Sequence, residues 1–141
     1  MAKRPTDWPA RYRKAKPPRV VTLHADFAGV KAGRTMLISS PEEIGRWIDA
    51  IPRGETRTIL RMRSDLARRA GADAMCPVTA AIYLRVVAEC ALKALDDGQP
   101  PDAVTPFWRV IAPGDKLAAK LSCGTEGVAH YRALDAAPDP A

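Results

Sequence analysis

The run Ile59-Leu60-Arg61-Met62-Arg63-Ser64-Asp65-Leu66-Ala67-Arg68-Arg69-Ala70-Gly71 is followed, after four residues, by Cys76-Pro77-Val78-Thr79-Ala80-Ala81-Ile82-Tyr83-Leu84-Arg85, and its reading decides the fold. Leu60, Met62, Leu66 and Ala67 supply the inward positions of a helix from Ile59 to about Ala70, with Gly71 as its stop and the arginines outward. Pro77 suits the first turn of the next helix, which continues through Val78, Ile82, Val86, Cys90 and Leu95 to Asp97-Gly98. Because that helix is apolar nearly all round, it is expected to be central. Two helices joined by a short irregular segment, the first bearing arginines, fit a helix-turn-helix, a pattern that generic paired helices share.

Working outward, Ser40-Pro41-Glu42-Glu43 reads as a helix start: a serine cap, proline at the first helical position and carboxylates beside the positive end of the dipole. Ile44, Trp47, Ile48 and Ile51 repeat at the spacing of one buried face, and Pro52-Arg53-Gly54 ends the helix. Before it, Val20–Leu23 and Thr35–Ser39 predict a small N-terminal β-hairpin. After the central helix, Pro100-Pro101 opens a loop, Phe107–Ile111 reads as a brief extended piece, and a last helix spans about Glu126 to Ala136. Ala136 to Ala141 reads as a tail without structure. The expected class is mainly α.

At 141 residues the chain is long enough for one domain that buries roughly 70% of its unfolded surface, and short for two. Its apolar runs fall far short of the roughly 20 residues a bilayer needs, and Met1 to Trp8 carries no apolar signal stretch, so a cytoplasmic location without membrane contact is expected. Cys76, Cys90 and Cys123 are too scattered for a disulfide framework or a zinc site, and no metal or small-molecule cofactor is expected.

Charge is distributed unevenly. Residues 1–19 hold Lys3, Arg4, Arg11, Arg13, Lys14, Lys16 and Arg19 against Asp7 alone, which accounts for the whole net charge of +6. Four prolines there predict a disordered basic tail, and residues 20–137 form the expected domain. Such an arm would add counterion release beside a phosphate backbone, and Trp8 and Tyr12 could stack on bases. Within the neutral remainder, Arg53, Arg57, Arg61, Arg63, Arg68 and Arg69 cluster against only Glu55 and Asp65.

Two segments carry a resemblance. Ile51-Pro52-Arg53-Gly54-Glu55-Thr56-Arg57-Thr58 resembles the IPxGxTxT opening of the DNA-binding domain of O6-alkylguanine-DNA alkyltransferases, and Pro106-Phe107-Trp108-Arg109-Val110-Ile111 is similar to that family's PCHRVI segment. The order and spacing extend over about residues 41–135, with Cys123-Gly124 near the family's Gly-Gly turn. The resemblance implies a winged helix-turn-helix whose second helix enters the minor groove, where an arginine replaces a flipped guanine and a cysteine accepts the alkyl group.

Phe107 stands where that cysteine would be and Trp108 where its histidine would be, so no catalytic residue is assigned. Asp135 falls near the family's histidine-orienting acid. The family's separate N-terminal domain has no counterpart, and Ile59 stands where the family has a tyrosine. The implied reading is a non-catalytic, alkyltransferase-like protein associated with the nucleoid. It would bind double-stranded DNA, recognise alkylated guanine and have a repair protein as a further candidate partner.

Arg61, Arg63, Arg68, Arg69, Thr79 and Arg85 are the candidate DNA contacts; Phe107, Trp108, Arg109, Cys123 and Gly124 are the candidate base pocket. One alignment makes Arg85 the base-displacing arginine and another puts Ala81 there, while Glu89 one turn on offers Arg85 a plain ion pair. Phe107 and Trp108 suit core packing as well as stacking on a base. Two rival classes remain: an alkyltransferase with a relocated nucleophile, Cys76 or Cys123, although His24 and His130 are isolated, and a protein-interaction module on the same fold.

Overall fold

The computed structural model describes residues 5–137. Met1–Arg4, part of the expected tail, and the last four residues of the chain lie outside them. Ser40 caps as expected: its Oγ accepts the Glu43 N–H at 3.2 Å, and helix α2 runs Pro41–Asp49 with Ile44, Trp47 and Ile48 buried. Thr58 caps α3, Ile59–Arg69, by accepting the Arg61 N–H at 3.0 Å. Gly71 then turns the chain with φ +68°, a conformation glycine adopts without a Cβ penalty.

Helix α4, Pro77–Asp96, lies at the centre, with Ala80, Leu84, Val87, Ala88, Ala91 and Leu92 in one core with Ile44, Trp47, Met62 and Leu66. The hairpin forms from β1, Arg19–Thr22, and β2, Thr35–Ile38, which pair antiparallel with Val20 opposite Leu37. A third strand extends it: β3, Ala74–Met75, lies in the α3–α4 connection and pairs parallel to β2. The sheet order is β1-β2-β3, and Asp73 accepts the Thr35 N–H at 2.9 Å just before β3. The chain is mostly helical with a small three-stranded sheet, and no helix among the described residues is long and apolar enough to cross a membrane.

Two expectations are corrected. Part of the disordered tail is helix α1, Trp8–Lys14, packed against α4; Asp7 Oδ1 accepts the Ala10 N–H at 3.0 Å and Pro9 occupies its first turn. Seven residues are too few to hold a helix in water by themselves, so the packing on α4 stabilises it. Phe107–Arg109, expected to be extended, is a 3₁₀ turn in which Val110 and Ile111 both donate to the Phe107 carbonyl, at 3.1 and 2.9 Å. Apolar and β-branched composition suits a strand locally, but here no strand lies alongside and the turn points Phe107 inward. Between that turn and the last helix, α6 (Gly124–Ala136), lies the short α5, Lys116–Lys120.

Candidate nucleic-acid interface

The α3 arginines divide by what they are paired with. Asp65, mostly shielded, accepts the Trp47 indole N–H at 3.2 Å and lies 3.7 Å from Arg61 Nε and 3.3 Å from Arg68 Nη2. Arg61 and Arg68 therefore share one carboxylate. Arg63 and Arg69 have no carboxylate within ion-pair distance among the described residues. Arg63 and Arg68, with Leu60, Ser64 and the segment Ala72–Met75, line an open groove of about 380 Å³ between α3 and β3, and Arg63 Nε is buried without a partner.

The groove ends two residues before α4. The first turns of α4 expose Val78, Ala81 and Ile82, the valine and isoleucine being 50% and 49% exposed, whereas residues 86–89 are buried. Thr79 is half-buried and its Oγ1 has no hydrogen-bond partner. The Arg85–Glu89 ion pair does not form. Position 89 lies on the buried face of α4, and the Glu89 carboxylate accepts the Ser122 N–H at 2.6 Å, past the end of α5. Position 85 faces α1 instead, where the guanidinium lies over the Trp8 ring, 5.1 Å from its centroid.

The five candidate pocket residues do not gather around one cleft. Phe107 is 0% exposed and Trp108 2%, so both belong to the core. Phe107 meets Trp108 edge-on at 5.1 Å, and Trp108 stacks on Tyr131 at 5.0 Å. Arg109 is consumed by Asp135: its Nε donates to Oδ2 at 2.9 Å and its Nη2 to Oδ1 at 2.7 Å, while Nη1 donates to the Ile51 carbonyl at 2.7 Å. Asp135 also accepts the Gly54 N–H at 3.0 Å, an approach Gly54 makes with φ +81°. The two quoted motifs and the last helix thus converge on one ion pair, and the aspartate near the family's histidine-orienting position holds an arginine.

Burial works to raise the Asp135 pKa, but the Arg109 hydrogen bonds, the Gly54 N–H and the Arg109 charge outweigh it and hold the carboxyl below the usual value. A cleft of about 290 Å³ beside the pair is lined by Arg53, Trp108, Arg109, Tyr131, Leu134 and Asp135 among others; Phe107, Cys123 and Gly124 are not in its wall.

The thiols are poorly placed for nucleophilic work. Burial, then the Glu89 carboxylate, push the Cys123 thiol up, and Gly127 sits so close that a Cβ there would come within 2.8 Å of Cys123 Sγ. Burial, Asp7 and Glu89 likewise raise Cys90. Cys76, the N-terminal flank of α4, is 3% exposed. No hydrogen bond joins a cysteine to His24 or His130 among the described residues.

Sequence reading took Trp8–Lys14 for disordered tail and missed the helix α1, although Asp7-Trp8-Pro9 carried the signal: an aspartate cap with proline in the first turn. It also missed Asp65 as the carboxylate that neutralises two of the four arginines. No family model matches the chain, and it matches neither a curated protein nor a solved structure.

Proposed function

We propose that the protein is a non-catalytic, winged helix-turn-helix DNA-binding protein of the alkyltransferase-like kind, which docks on the double helix through α3, the β3 turn and the first turns of α4. The observation that carries this reading is the uncovered start of α4, with exposed Val78 and Ile82, following an α3 groove in which Arg63 has no carboxylate partner, beside Arg68, which Asp65 pairs, and Asp73 at the far wall. Short apolar side chains suit a groove floor, and unpaired arginines suit the phosphates on its rim.

The burial of Phe107 and Trp108 favours reading of stacked duplex over capture of a flipped base. The raised thiols favour binding without alkyl transfer. A role in the repair of alkylated DNA, through recognition and recruitment of a repair protein at the nucleoid, is consistent with such a module.

Titration of duplex DNA against the full chain at several salt concentrations tests the reading. Arg63→Gln with Arg69→Gln should weaken binding evenly across sequences and lower the magnitude of the log–log salt slope by about 2. Absence of duplex binding by the unaltered protein at low salt would sink the proposal and move the reading to a protein partner docking on the exposed apolar start of α4.

A further inference from the structure

Trp8 carries two cations. The Arg85 guanidinium lies 5.1 Å from the centroid of its ring and the Arg11 guanidinium 5.4 Å. The two arginines come from different elements, and neither has a carboxylate within ion-pair distance among the described residues. Glu89, the one acid a turn away from Arg85, is occupied by the Ser122 N–H. Arg85 Nε is buried without an acceptor, so the head group is held against the ring while its charge stays uncompensated. A guanidinium over an indole face keeps its in-plane N–H donors available for an anion.

Arg11 and Lys14 follow Trp8 at three-residue intervals, which places them along one face of α1, and both are exposed. Tyr12 lines the cleft against α2 and α4 instead, with Glu42, Arg46 and Cys90. The outer stripe of α1 thereby joins Arg85 in a fixed row of cations that runs onto α4, the helix whose start forms the proposed contact.

We infer that α1 is a built part of the DNA-binding surface, in which Trp8 is a positioning residue that holds Arg85 for a backbone phosphate and Arg11 takes a second phosphate. The partner is duplex DNA because such a row meets a polyanion of regular spacing. The inference rests on the duplex-binding reading above. Ring and guanidinium act as a unit: losing the ring releases Arg85 from its position and should cost as much as losing the charge.

The test is a salt titration of a short duplex against the full chain, with far-UV circular dichroism to check the fold of each variant. Arg85→Gln and Trp8→Ala should each lower the magnitude of the salt slope by about 1, and the double variant should lower it no further than either alone. Trp8→Phe keeps an aromatic face and should restore the slope. Because Trp8→Ala could loosen α1 itself, Arg11→Gln, at an exposed position that leaves the Trp8 ring in place, serves as the second probe, with a fall of about 1 expected. Unchanged slopes for Arg11→Gln and Trp8→Ala, while the Arg63 and Arg69 variants still flatten the dependence, would overturn the α1 inference and leave the α3–α4 reading standing. No duplex binding by the unaltered chain would remove both.

Discussion

The face made by α3 and the start of α4 and the cluster made by Phe107, Trp108, Arg109 and Asp135 lie within the same resemblance, yet they resolve their polar groups in opposite ways. On the first, two of the four arginines, Arg61 and Arg68, share one carboxylate, and Arg63 and Arg69 are left without any. In the second, one arginine has a carboxylate to itself in a bidentate pair and a backbone carbonyl besides. The difference teaches that the count of charged residues says little about a binding face, because pairing decides which charges remain for a partner. It also shows where the two adjacent rings, Phe107 and Trp108, end up. Large rings favour burial, and the turn that carries both is part of the core.

The comparison can be broken most forcefully at Phe107. Phe107→Ala should lower stability by about 3–5 kcal/mol in urea unfolding, since the ring is fully enclosed. A loss of under about 1 kcal/mol would mean that the aromatic cluster is not core. Phe107→Cys, which puts a cysteine where the resembled segment has one, should remain inert: intact mass after incubation with DNA containing O6-methylguanine should show no added methyl group, because the site is closed and Trp108 is no base.

Asp135→Asn comes next, with an expected loss of about 2–4 kcal/mol at neutral pH as Arg109 keeps its charge without its partner. The pH dependence follows from the lowered folded-state pKa. The carboxylate's contribution is complete above the unfolded value, near 3.8, and disappears as the pH falls through the lower folded value. Urea midpoints between neutrality and pH 3 should therefore fall on the acid side in the native protein, with part of that fall missing in Asp135→Asn.

The smallest effect on stability, and the sharpest on the other side of the comparison, is expected from Asp65→Asn. The amide can still accept the Trp47 N–H, so the fold should lose under about 1 kcal/mol. Arg61 and Arg68 are then released from their shared carboxylate, and the salt slope of duplex binding should steepen by up to about 2. An unchanged slope would place the outer face of α3 away from DNA.

Much of the helical frame was legible because its signals are local. Ser40-Pro41-Glu42-Glu43 carries its own cap, and the apolar spacing of Met62, Leu66 and Ala67 marks the buried side of α3 without reference to anything distant, whereas Leu60, read with them as inward, is 69% exposed. The hairpin was legible for the same reason, whereas β3 was not: two residues of Ala74-Met75 carry no periodicity, and only their pairing with Met36 and Leu37 makes them a strand. The 3₁₀ turn at Phe107 was misread because the residue types favour extension while the core requires a turn. Of the candidate site, the arginines were legible as a cluster, but their division into paired and unpaired groups was not.

By itself, the sequence determined the approximate bounds of α2, α3, α4 and α6, most of the positions that α2 and α3 bury, and that no thiol or imidazole stands at the positions where the resemblance would put the reactive pair. Those are properties of neighbouring residues and of residue identity. The tertiary structure alone decided that Arg109 closes on Asp135, that Glu89 serves Ser122 in place of Arg85, and that Trp8 takes the guanidinium Glu89 leaves. An ion pair or a ring contact depends on distance in space, and a side chain with several suitable partners along the chain bonds to the one that packing of the whole fold brings within reach.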